Sequence, residues 1–280
     1  DRGLIRYLMR HRHTTPFEMV EFKFHCKMPI FVARQWVRHR TANINEYSLR
    51  YSEARDEFYY PDPEHIQFQS MLNKQGSKGE VPDELKQKVQ DYFKEISAKG
   101  FAMYSELNEA GVARELARAV LPVNLYTEWY WKNDLHNLLH FIGLRSDNHA
   151  QYEIRVFSDA MAESVKAVAP FAWEAYQDYV VEGMRFSRIE QSVLEKQLPS
   201  RVIDDILEDI AYKITATLHF NKPREDTDIY HLYQKQGGTD SEEDFKLKWD
   251  SGEIEVENVR ELREFKLKFV SLKQKSAKNN

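Results

Sequence analysis

Hydrophobic and polar residues alternate from Val20 to Met28: Val20, Phe22, Phe24, Cys26 and Met28 point one way, Glu21, Lys23, His25 and Lys27 the other. A period of two predicts a strand with one buried face. The rest of the chain reads mostly at helical period. Asp1 to Arg12 forms a short helix with Leu4, Ile5, Leu8 and Met9 as its apolar stripe. Thr15, Pro16 and Glu18 suggest a capped turn. Pro29 opens a helix to about Arg38, followed by a polar loop from His39 to Arg50 and an extended aromatic stretch to Tyr60. Pro61 to Val81 reads as an exposed loop. Helices are then predicted over Asp83 to Lys99, ended by Gly100, and over Phe101 to Ala110, ended by Gly111. Further helices are predicted over Ala113 to Leu121, over Tyr126 to Leu144 and, from an Asp cap, over Asp147 to Val168, with another from Pro170 to about Val181. Pro199 to Phe220 looks helical, Asn221 to Gly252 acidic and mobile, and Glu253 to Lys273 fits helix or strand. The expected class is α+β: a small mixed or antiparallel sheet near the start, with a large helical bulk.

Composition narrows the function classes. The 280 residues are 42% hydrophobic and 30% charged, which suits a folded soluble chain. A single cysteine, Cys26, excludes an internal disulfide and a four-thiolate zinc site, and its place on the apolar side of a strand makes it a buried hydrophobe rather than a nucleophile. No G-x-G-x-x-G or G-x-x-x-x-G-K-S/T run occurs, so neither glycine-loop route to a nucleotide is available. A net charge of −5 argues against sequence-blind binding to nucleic acid or anionic membrane. No apolar run approaches the ~20 residues of a membrane span. The expectation is a cytoplasmic protein of a reducing compartment, with no membrane or nucleic-acid partner.

Two segments carry chemistry. Within residues 34 to 40 stand Arg34, Arg38, His39 and Arg40, followed by Asn45, Glu46, Ser48 and Arg50. Arg34 and Arg38 lie one turn apart, and a guanidinium is a planar fork of donors suited to phosphate and carboxylate. A solvated basic helix end is the plain alternative; the density of fixed donors with an embedded Glu and Ser favours a phosphorylated small ligand. The second segment places His136 and His140 one helical turn apart, with Asp134 and His149 nearby. That spacing suits a divalent metal, but the glutamate of H-E-x-x-H is missing, so hydrogen-bonded core or cofactor contacts are the better reading and no metal is expected. Arg145 ends this helix beside Asp147 and is either a dipole partner or aimed at a pocket. Arg118 interrupts an apolar stretch and, if buried, needs an anionic partner.

Arg38-His39-Arg40, seven residues and Ser48 together resemble the R-H-R-x7-S signature of flavin-dependent thymidylate synthases. The resemblance extends, in family order, through His13 to Glu18, Pro29 to Trp36, Asn45 to Ser48, Arg118 to Thr127 and Leu144 to Gln151. It covers roughly Leu4 to Phe186, which it implies to be one catalytic domain (1–186), with 187–280 as an extension of unknown role. It also implies a preceding segment with a strand and a flavin contact, for which a sequence beginning at Asp1 has no counterpart.

The resemblance implies conversion of dUMP to dTMP. The carbon donor is 5,10-methylenetetrahydrofolate, and FAD reduced by NADPH is the hydride source. The enzyme is implied to be a homotetramer with shared sites that uses no attacking cysteine. By the same resemblance, Arg38, His39 and Arg40 contact the flavin, Arg38 also the nucleotide. Gln35, Trp36 and Val37 and the run Glu46, Tyr47, Ser48, Leu49 and Arg50 belong to the dUMP site, with Ser48 at the pyrimidine and Glu46 near both ligands. Arg118 reaches the nucleotide from a neighbouring subunit. Arg145 favours the N3-ionised uracil. His13 and Thr15 lie on the nicotinamide or flavin side, and Asp134, Leu135, His136 and His140 on FAD. Asn43 stands where many members have Ser, and Leu49, where Gly or Ala is common, is expected to crowd the dUMP loop. Two other classes compete: a non-catalytic nucleotide- or RNA-binding protein on the same scaffold, and a helical metallohydrolase built on His136 and His140.

Overall fold

The computed structural model describes residues 1–70, 76–197, 230, 233–234 and 237–251. The predicted elements at Pro199 to Phe220 and Glu253 to Lys273, and most of the acidic stretch between them, lie outside the described residues. The chain divides into two compact units, one of Arg12–Val181 and one of Asp1–His11 with Glu182–Asn280.

The larger unit is organised by a three-stranded antiparallel sheet in the order β1 (Glu21–Pro29), β5 (Tyr126–Asp134), β2 (Asn43–Glu46). Alternation forms β1 as predicted: Cys26 and Met28 are buried, while Glu21, Lys23, His25 and Lys27 are exposed. Burial pushes the Cys26 thiol up to about 11, which suits a packing role. Pro29 ends the strand and begins α3 (Ile30–Trp36). At α2 (Thr15–Glu18) the N-cap is Thr14 rather than Thr15, and no side-chain capping bond forms.

Two sequence expectations fail here for one reason. Residues 126–134 are not the start of a long helix but the central strand, with Thr127, Trp129, Trp131 and Asn133 buried and the residues between them half-buried or exposed. The polar segment after His39 is not all loop, because Asn43–Glu46 pairs with Lys132–Trp129 as β2. Aromatic and Thr residues at period two favour a pleated surface, and strand pairing with β1 and β2 overrides the helical reading. The helix begins only at α6 (Leu135–Arg145), where the Asp134 side chain accepts from the Asn137 N–H. The predicted loop after Pro61 also holds a short hairpin, β3 (Gln67–Gln69) with β4 (Ser77–Glu80).

Behind the sheet pack α3, α6 and α7 (Tyr152–Val168). Trp36, Trp129, Trp131 and Phe141 interlock, with ring centroids 4.9 to 5.5 Å apart. The α7 helix starts at Tyr152 rather than at Asp147, whose carboxylate instead accepts from the His149 backbone N–H in the preceding turn. It is followed by α8 (Pro170–Tyr176), continued by a π-helical turn at Gln177–Val181. A second cluster of Ala54, Phe58, Tyr104, Ala117 and Leu125 joins α4 (Asp83–Glu109) and α5 (Arg114–Ala117) to the sheet's edge, and Leu49 packs against it. The side chain of Leu49 therefore has an apolar seat of its own.

Gly100 does not stop a helix, since α4 runs unbroken through it. Its role is close approach: a Cβ there would lie 2.8 Å from Pro122 Cδ and 3.2 Å from the Val120 carbonyl oxygen. One turn away, buried Asn124 donates to Ser97 Oγ and to the Tyr59 carbonyl, fixing the same seam. Gly100→Ala sets a clash of ~1–3 kcal/mol against a helix-propensity gain of ~0.5–1 kcal/mol. We expect net destabilisation of about 1 kcal/mol, read as a lower urea midpoint; an unchanged or raised midpoint refutes the close-packing account.

In the smaller unit lie α1 (Arg2–Arg10), α9 (Arg188–Gln197) and α10 (Glu242–Ser251). Tyr230, Tyr233 and Phe245 form a ring cluster, and Asp240 accepts from Tyr233 Oη and Lys248 Nζ. Among the described residues no helix is long and apolar enough to cross a membrane.

Candidate functional site

The site grows out of the aromatic core. Trp36 is fully buried and ends α3. Its carbonyl accepts the His39 N–H at 2.9 Å, so the turn carrying Arg38, His39 and Arg40 hangs from a core residue. Phe141 of α6 stacks on Trp36 and meets the His39 ring edge-on at 4.8 Å. One turn further along the same helix face, Arg145 Nε donates to His39 Nε2 at 3.0 Å. Residues 106 positions apart are thereby joined by one core. Partial burial pulls the Arg145 pKa below its ordinary value, and burial with the adjacent Arg145 and His140 pulls His39 down to about 4.

The sequence-predicted residues fall into three groups. His39, His140 and Arg145 meet at the centre, with the His39 and His140 rings 6.3 Å apart. A second group frames the β2 end. Glu46 Oε1 accepts from Thr127 Oγ1 at 2.7 Å, and the Tyr47 N–H donates to the Glu128 carbonyl. Ser48 turns the chain, its carbonyl taking the Tyr51 and Ser52 N–H groups and its hydroxyl the Arg50 N–H. Arg50 is occupied by Glu115 at 2.9 Å. In a third group, Thr15, Arg118, Asp134, Leu135 and His136 form no side-chain hydrogen bond, ion pair or ring contact with His39, His140 or Arg145 among the described residues. His13 and Thr15 are exposed, Arg118 is half-buried in the 3-10 turn Arg118–Val120, and Asp134 caps α6 by accepting from the Asn137 backbone and side chain, with Leu135 and His136 in the first turn of that helix. Trp36 faces the core, leaving its backbone on the site side, and Val37 is exposed.

The donor set is unusual. Among the described residues the side chains of Arg34, Arg38, Arg40 and Arg118 form no ion pair and no hydrogen bond, and the buried Gln35 Oε1 also lacks a partner. Guanidinium groups without a partner, most of them in the same segment as an unpaired buried amide oxygen, suit ligands that bring both anionic oxygens and N–H donors. The residues present thus fit a phosphorylated heterocycle, the shape of a nucleotide and of a flavin nucleotide alike. Sequence reasoning missed Thr127, which holds Glu46, and Phe141, which supports His39. Thr127 emerges only once β5 is paired in the sheet, whereas Phe141 lies four residues before Arg145 on one helix face.

Comparison with known proteins places these features in a family. The family described as thymidylate synthase complementing protein matches residues 1–171. The flavin-dependent thymidylate synthase of Rickettsia conorii is 51% identical over 211 residues, covering 71% of this chain and 72% of that protein. That of Dictyostelium discoideum is 50% identical over 199 residues, covering 71% of this chain and 65% of that protein. Among solved structures, a UMP/dUMP methylase, PolB from Streptomyces cacaoi, bound with 5-Br dUMP, is 34% identical with a TM-score of 0.59, covering 63% of this chain and 78% of that one.

Proposed function

Because the chain belongs to the thymidylate synthase complementing protein family, whose relatives are named flavin-dependent thymidylate synthases, we propose that it catalyses the reductive methylation of dUMP to dTMP. The carbon comes from 5,10-methylenetetrahydrofolate as a methylene group, and two electrons from NADPH complete its reduction to methyl. FAD held by the residues named below would supply the route for that hydride. Every other task falls to the chain's own groups.

Arg145 supplies fixed positive charge to the pyrimidine. A guanidinium beside the ring favours the N3-ionised form, which enriches C5, the carbon that accepts the methylene. Ser48 stands at the pyrimidine on a turn set by two backbone hydrogen bonds to its carbonyl and one to its hydroxyl. Glu46 is held by Thr127. Arg38 serves the nucleotide and, with His39 and Arg40, the flavin; Gln35, Val37, Tyr47, Leu49 and Arg50, with the backbone of Trp36, complete the dUMP loop. Asp134, Leu135, His136 and His140 line the flavin side, and His13 and Thr15 the nicotinamide side. The catalytic domain is residues 1–186 of a cytoplasmic homotetramer. There the Arg118 of one copy holds the nucleotide of another, a role supported by its lack of partners among the described residues. The relatives' names do not favour a non-catalytic nucleotide-binding protein.

The observation that carries this reading is the Arg145–His39 pair, formed from two segments distant in sequence, with Arg38 and Arg40 beside His39 in the chain having side chains without a partner among the described residues. Purified protein incubated with FAD should show bound-flavin absorbance, oxidise NADPH faster when dUMP is added, and form dTMP once the folate is present. Protein that folds but takes up no flavin and forms no dTMP refutes the reading.

A further inference from the structure

The geometry assigns His39 a positioning role. As a neutral imidazole protonated at Nδ1, it holds Arg145 by its Nε, leaving both terminal nitrogens of that guanidinium for the pyrimidine. This deepens the proposed function and rests on it for the identity of the ligand.

The argument starts from hydrogen-bond chemistry. Arginine carries only donors, so the 3.0 Å contact between Arg145 Nε and His39 Nε2 requires an unprotonated Nε2. The remaining ring proton must then sit on Nδ1. The bond uses one of the five guanidinium N–H groups and leaves the two NH2 groups, the fork that reads a carbonyl or an anionic edge. The ring itself is held from two sides: the Trp36 carbonyl anchors its backbone and Phe141 packs edge-on at 4.8 Å. An arginine tethered through Nε has lost much of its rotamer freedom before substrate arrives, and such pre-positioning lowers the cost of meeting a developing charge.

The charges around His39 agree with this state. The titratable groups facing it are Arg145 and His140, both from α6, with no carboxylate contributing among the described residues. A proton on Nε2 would place two cations in contact, so burial and both neighbours keep the ring neutral down to about pH 4. Contact with a flavin is a separate role for the same ring, and the two separate experimentally. Loss of a flavin contact is overcome by excess FAD; loss of the tether is not.

The first test is nitrogen-15 NMR of FAD-loaded protein labelled at histidine. His39 should appear as the neutral Nδ1–H tautomer from pH 8 to pH 5, and Arg145→Met should raise its titration midpoint. An Nε2–H tautomer, or protonation near pH 6.5 in the wild type, overturns the proposal, and this arm needs no activity. The second test is kinetic, at saturating FAD. His39→Ala should lower kcat for dTMP formation about a hundredfold, whereas His39→Gln, whose Oε1 keeps an acceptor for Arg145 Nε, should recover most of it. In an Arg145→Ala background, His39→Ala should cost under about threefold more, since contacting residues are non-additive. Equal cost in both backgrounds, or full recovery of His39→Ala by added FAD, overturns the positioning role. Wild-type protein that binds no dUMP and forms no dTMP sinks the proposed function instead, while the NMR result still decides the tether.

Discussion

Arg145→Ala is expected to lower kcat for dTMP formation by about 10²–10³-fold, equivalent to roughly 2.7–4 kcal/mol of transition-state stabilisation. The KM for dUMP should change far less. The asymmetry follows from when the interaction is strongest. Uncharged uracil offers the guanidinium only a neutral acceptor, whereas the ionised ring that reacts at C5 offers an anionic one in a partly desolvated site. Only the second is lost from the barrier alone, so turnover falls more than binding. Stability should fall only moderately: among the described residues the Arg145 side chain makes one hydrogen bond, to His39, and complements the C-terminal end of α6, together worth about 1–2 kcal/mol. Arg145→Lys keeps the charge but neither the fork nor the Nε donor, and should fall between the wild type and Ala. Steady-state kinetics at saturating FAD, beside thermal melts of the same preparations, separate the outcomes. A loss below tenfold removes Arg145 from the chemistry, and a loss matched by collapse of the melt makes it structural.

The sequence disclosed the parts of this site better than their arrangement. A basic turn with embedded Glu46 and Ser48 reads directly as a set of donors and acceptors, because side-chain chemistry does not depend on neighbours. That His39 faces Arg145 does not read directly, because it depends on Phe141 and Trp36 bringing two helices together. The strand β1 was legible because its buried and exposed sides differ in polarity at every step. The strand β5 was not: Tyr126, Tyr130, Trp129 and Trp131 are aromatic on both faces, so the period-two signal vanishes and a long helix fits as well. Gly100 misled in the opposite sense, since a residue that often ends helices is used here because Pro122 leaves no room for a Cβ. The same loss of polarity contrast hid β2, whose four residues are all exposed and are held by pairing to β5 rather than by burial.

Trp36→Ala should be the most damaging single substitution for the fold. Trp36 has no exposed surface and lies within 5.6 Å, centroid to centroid, of Trp129, Trp131, Phe141 and Phe157. Removing an indole from such a cage costs about 3–5 kcal/mol, a large share of the roughly 5–15 kcal/mol that holds a domain together. Relaxation cannot refill the space cheaply, because the surrounding rings sit on three separate elements, β5, α6 and α7, each fixed by its own hydrogen bonds. The damage should reach the site, since the Trp36 carbonyl takes the His39 N–H and Phe141 bridges the two rings. Flavin uptake should therefore fall at denaturant concentrations where the wild type is fully loaded. Trp36→Phe is the informative control. It keeps an aromatic ring in the cage and deletes an indole N–H that has no acceptor among the described residues, which returns part of the lost volume's cost. Urea unfolding followed by fluorescence and flavin release should rank the proteins wild type, Phe, Ala, with the Phe variant close to the first. Should Trp36→Ala shift stability by less than about 1 kcal/mol, or spare flavin uptake while the fold weakens, the aromatic core is not what suspends His39 and Arg145 in register.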